Sequence, residues 1–197
     1  MTRIKYVWLT LVLIVASNCS TVPLTGRKQF TPIPPSQMIA LSEDSYQQVL
    51  NENELSDNAT YTAQVNRVGE RITDAVERYM KQENKPELIE GYVWEFHVLK
   101  SDQKNAWCMP GGKIAFYEGI MPICENDAGV AVVMAHEIAH EVAKHGNERL
   151  SQQLGVQLGG IALSEALETK TETTQQLALL AFGVGSQVGL ILPYSRL

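Results

Sequence analysis

The stretch "VVMAHEIAHEVAKHGNERL", residues 132–150, decides how this chain is read. His136 and His140 stand four apart, and Glu137 follows the first of them. On an α-helix a step of four returns to the same face, so both imidazoles can address one ion. Glu137 is turned away from that pair, towards a water on the metal rather than the metal itself. H-E-x-x-H on a helix therefore predicts a zinc site: the ion acidifies a water towards a pKa of ~7, and the carboxylate takes and returns its proton. The small and apolar residues before the motif, Val130 to Val133 and Ala135, predict a buried helix with its ligands facing a cleft.

A catalytic zinc usually takes three protein ligands. On a helix continuing from Asn126 through residue 149, His145 would lie about 140° around from His140, a poor third ligand. A metzincin pattern would need histidine where Gly146 stands. The missing ligand is expected to be a carboxylate from another helix.

The chain has 197 residues and a net charge of -6, which gives no basic footprint for nucleic acid. Its start, "MTRIKYVWLTLVLIVASNCS", has cations at Arg3 and Lys5, an apolar run and then small residues. That order predicts a signal peptide over residues 1–18, too short in its apolar part to span a bilayer. Cys19 stands where a bacterial lipoprotein is lipidated, although Ala16 and Asn18 depart from the usual lipobox. A lipid on Cys19 would anchor the chain to a membrane. Ser20, rather than aspartate, favours the outer membrane by analogy with lipoprotein sorting, facing the periplasm. Cys108 and Cys124 are the other two cysteines. Outside the cytoplasm they could pair as a disulfide, the expectation if the chain is exported; the alternative is two buried thiols.

Residues 19–35, rich in Pro and Thr, read as an extended linker, and residues 36–197 as one domain. Ser36 could cap a helix carrying Met38, Leu41, Val49 and Leu50. Tyr61, Val65, Val68, Ile72, Val76 and Tyr79 form one stripe of a helix over 60–82. Residues 92–99 and 113–120 read as strands, with "PGG" at 110–112 as a turn and His97 opposite Trp94, Phe96 and Val98. The glycine-rich remainder reads as two helices separated by "ETKTETT".

Four stretches together resemble metallopeptidase family 48, the group of the heat-shock protease HtpX and the CAAX prenyl protease, in its exported bacterial lipoprotein branch. They are "CSTVPLTGRKQF", "NAWCMPGGKIAFYEGIM", "HEIAHEVAKHGNERLS" and "LPYSR". The resemblance implies an α+β, mostly helical zincin-like fold with a small β-sheet beside the H-E-x-x-H helix. It implies one zinc ion on His136 and His140, Glu137 as general acid and base, and a substrate cleft bordered by the "NAWCMPGG" region, with Asn105 the residue to watch. Substrates would be extended or unfolded polypeptides held along a strand edge, in the family's case misfolded or unassembled envelope proteins. The family's third ligand is a glutamate soon after "PYSR", which here falls beyond Leu197, so the domain reads as incomplete at its C-terminus. Glu165, in "LSEAL", is a weaker internal candidate. Two function classes follow: a zinc metalloendopeptidase, or a catalytically incomplete lipoprotein that binds envelope proteins as a chaperone or assembly factor.

Overall fold

A computed structural model describes residues 19–22 and 26–187. The leader 1–18 and the "LPYSR" stretch lie outside the described residues. The chain divides into two compact units, one of residues 33–146 and one that joins residues up to 32 with those from 147 onward.

The first unit is built on a three-stranded sheet of β3 (Glu95–Leu99), β5 (Lys113–Tyr117) and β4 (Ala106–Met109), in that order. β3 runs parallel to β5, and β4 antiparallel to it. The two expected strands thus lie side by side, and the segment between them adds β4, which the alternation rule did not single out. The β4–β5 link is the expected turn. Gly112 N–H donates to the Met109 carbonyl at 3.2 Å, and Gly111 takes a φ of 88°, the conformation a type II turn needs after proline.

Helix α1 (Pro35–Glu52) covers one face of the sheet. Ser36 does not cap it: the N-cap is Pro34, without a side-chain cap bond, and Ser36 lies in the first turn. Pro35 occupies the first helical position, where its missing N–H costs no helical bond and its fixed φ suits the helix. Met38 and Tyr46 are buried, while Leu41 is exposed. Tyr46 O–H lies 2.5 Å from His97 Nδ1 and its ring meets Trp107 edge-on. Lys113, on the same face, pairs with Glu95 and with Glu43. Burial pulls the Lys113 ammonium pKa down, but the two carboxylates outweigh that pull and hold it above its ordinary value.

The other face carries the hydrophobic core. Helix α2 (Ala59–Gln82) is capped by Asn58, whose Oδ1 accepts from Thr60 and Tyr61 N–H at 3.1 Å. Its expected stripe packs inward, except that Met80 is buried where Tyr79 points out. A single-turn helix α3 (Met121–Cys124) leads into α4 (Asp127–Val142). Val130, Met134, Ile138 and Val142 of α4 are buried against Val65 and Val68 of α2 and Ile114 and Phe116 of β5.

The expected single helix over 126–149 is two helices. α4 ends at Val142, Lys144 adopts a φ of 59°, and α5 runs from His145 to Ala166. A left-handed residue reverses the local path, so nothing beyond it keeps the phase of α4.

In the second unit the expected linker contains a short antiparallel pair, β1 (Cys19–Thr21) with β2 (Lys28–Phe30). Arg27 binds the Glu148 carboxylate on α5 with both ends of its guanidinium, at 2.8 and 2.5 Å. Helix α6 (Glu172–Ser186) follows α5 beyond the expected polar break, with the Phe182 ring against Gly159. Among the described residues no helix is long and apolar enough to cross a membrane.

Candidate active site

The site stands on α4. Asn126 caps this helix, accepting from Ala128 and Gly129 N–H at 2.9 and 3.3 Å. Asp127, next to it, takes Arg67 of α2 through two hydrogen bonds of 2.6 and 3.0 Å. The apolar stripe Val130, Met134, Ile138 and Val142 fastens one side of α4 to the core, and the two histidines lie off that stripe. The outer side of α4, where a buried helix was expected, is open. Val132 is 71% exposed, and His136 is open to solvent while Glu137 and His140 are half-buried.

The two imidazoles face each other. Their Nε2 atoms are 2.9 Å apart, with the rings nearly perpendicular at 84°. Without an ion, one of these nitrogens donates to the other, and both point at one place where an ion could replace that proton. A tetrahedral zinc at ~2.0–2.1 Å from each nitrogen would need them roughly 3.3 Å apart, so a few tenths of an ångström of opening accommodates the ion. Neutral imidazoles are suitable zinc donors, and the donor set fits.

His145 is drawn in rather than swung away. Its Nδ1 lies 2.7 Å from His140 Nδ1, on the opposite side of the His140 ring from His136. One continuous helix would have put His145 about 140° away, but the turn at Lys144 breaks the helix. His145 still faces away from the nitrogen that would hold the metal.

Among the described residues no three His, Cys, Asp or Glu side chains group as a metal site. Glu165 is exposed on α5, in a surface hollow with Ile161, Ser164 and Glu168.

Strand β4 packs across α4. Cys108 on β4 has its thiol pKa raised by burial first, then by the carboxylates of Glu141 and Glu137. The Glu137 carboxylate is thus near enough to β4 for its charge to act on this thiol. β4 is an edge: no strand pairs on its other side among the described residues. Tyr117 N–H donates to the Asn105 carbonyl at 3.1 Å, so in the antiparallel alternation Ala106 and Cys108 turn their peptide groups outward. Asn105 itself is exposed just before the strand.

The expected disulfide is not formed: Cys108 and Cys124 are free thiols. Each acts as a small apolar residue, Cys124 within the core and Cys108 packed against it.

Two further residues escaped the sequence reading. Glu141, directly after His140, is 7% exposed, and Tyr92 O–H donates to its Oε1 at 2.8 Å. Burial raises the Glu141 carboxyl to about 7, against the opposing effects of Tyr92 and Lys144. Glu141 stands four residues after Glu137 and so shares its side of α4, but no local signal could name Tyr92 as its partner from 49 residues off.

The chain is 32% identical over 119 residues to the mitochondrial metalloendopeptidase OMA1 of Schizosaccharomyces pombe, covering 59% of this chain and 32% of the relative. It is 46% identical over 52 residues to the protein of that name from Saccharomyces cerevisiae, covering 25% of this chain and 15% of the relative. The chain thus spans a third or less of the length of these relatives. The model of peptidase family M48 matches residues 62–197, which hold the sheet, the paired histidines and Glu137. By that match, and with its mostly helical α+β fold, the chain belongs to peptidase family M48.

Proposed function

We propose that this chain is the catalytic part of a zinc-dependent metalloendopeptidase. The observation that carries the reading is the convergence of the His136 and His140 Nε2 atoms on a helix that packs against an edge strand. His136 and His140 would hold the ion, with a third ligand from outside the described residues. Zinc, when bound, supplies a Lewis acid that acidifies water and stabilises an oxyanion. Glu137 takes the water's proton and returns it to the leaving amine. The outward peptide groups of Ala106 and Cys108 pair with an extended substrate strand, which favours unfolded polypeptides. Asn105 borders that groove.

The finer reading is an exported lipoprotein, processed before Cys19, lipid-anchored and acting on misfolded or unassembled proteins of a bacterial envelope at the outer membrane. The order of charges, apolar run and Cys19 supports it. Replacing Cys19 by Ser should release the protein from membranes; retention would count against the anchor.

Replacing Glu137 by Gln in the full-length protein tests the chemistry. Zinc content should stay, and cleavage of an unfolded protein should fall by about 10²–10⁴-fold. Undiminished cleavage would refute the role of Glu137.

A further inference from the structure

A metal-bound histidine must present a lone pair to the metal through one nitrogen, and its other nitrogen then carries the proton. What accepts that proton fixes the tautomer and the tilt of the ring. For His140 the metal-side atom is Nε2, which faces His136. The proton then sits on Nδ1, and the atom 2.7 Å from it is His145 Nδ1. Two ring nitrogens this close share one proton, so one donates and the other accepts. With His140 as donor, His145 must accept at Nδ1 and carry its own proton on Nε2.

A turn of the backbone brings the two rings together. Lys144 adopts a φ of 59°, a conformation uncommon in residues other than glycine. That turn ends α4 after Val142 and starts α5 at His145. An unbroken helix would have carried His145 about 140° away from His140. The two rings instead lie 4.9 Å apart.

We propose that His145 is a positioning residue for the metal centre: its Nδ1 accepts the His140 Nδ1 proton and so holds His140 Nε2 deprotonated and aimed at the ion. It is not itself a ligand, because it meets His140 on the nitrogen opposite the metal side. This rests on the assignment of His136 and His140 as ligands.

The test uses the full-length protein and two substitutions. Asn at 145 places its Oδ1 where the imidazole places Nδ1 and can still accept; Leu has similar bulk and cannot. Zinc affinity is measured by competition against a chromogenic chelator. His145→Leu should weaken binding by about 10–100-fold, and His145→Asn should recover most of that loss. The urea midpoint of the zinc-free protein checks that both variants fold. Equal affinity in wild type and His145→Leu, or equal loss in the two folded variants, would overturn the proposal. A second measurement does not depend on zinc. Nitrogen-15 shifts of the imidazoles in the zinc-free protein should report His140 protonated at Nδ1 and His145 at Nε2; the reverse pair overturns the proposal. A wild type that binds no zinc sinks the ligand assignment instead, and the tautomers still decide the contact.

Discussion

Gly129, in the first turn of α4, lies against the carbonyl oxygen of Cys124 so closely that a β-carbon would sit 1.9 Å from it. Real side chains do not approach backbone at that distance. The glycine therefore lets the end of α3 fold tightly onto the start of α4, and so sets where the histidine-bearing helix begins. In an open helix Gly→Ala gains about 1 kcal/mol. Here Gly129→Ala should instead destabilise by about 1–3 kcal/mol, as overpacking does. Urea unfolding decides the sign.

The two sides of α4 should respond differently to truncation. Met134 is fully buried and Val132 is 71% exposed, although both belong to the same apolar run. Met134→Ala should cost about 2–5 kcal/mol, and Val132→Ala should stay within about 0.5 kcal/mol of wild type. Similar costs at both positions would mean that the outer side of α4 is also packed.

The free thiols give a redox prediction. A reducing agent should leave the thermal midpoint unchanged, since no bond joins Cys108 and Cys124. Alkylation of Cys108 in the folded protein should be slow, because burial and the neighbouring carboxylates disfavour its thiolate. A midpoint that drops on reduction would contradict the separate thiols.

Arg67 and Asp127 predict a pH dependence. The hydrogen bonds from Arg67 are the largest cause holding the Asp127 carboxyl below its ordinary value, with the Arg67 charge adding to them. A depressed folded pKa gives stability that is present above the unfolded pKa and lost as pH falls through the folded one. Asp127→Asn should therefore be less stable than wild type near pH ~7, and the difference should shrink towards pH ~3. Both side chains are solvent-exposed, so added salt should shrink it too. Urea midpoints at the two pH values measure this.

Much of the site was legible in one dimension. Four-residue spacing put His136 and His140 on one face of a helix, and the stripe from Tyr61 to Val76 marked the inner side of α2. Periodicity depends only on the local backbone, so it survives without any knowledge of the fold. The same rule failed at His145 because one residue, Lys144, leaves the helical conformation. Helical phase is lost across such a turn.

What only the tertiary structure decided were the meetings of distant segments. The order β3–β5–β4 makes β4 an edge beside the helix that carries Glu137. Tyr92 reaches the buried Glu141, and Tyr46 reaches His97 across 51 residues. Cys108 and Cys124 stay apart because each fills its own place in the core. Sequence by itself determined which side chains could do the chemistry, since that follows from residue type and spacing. Packing determined which surface meets them, since that depends on how sheet and helices exclude water together.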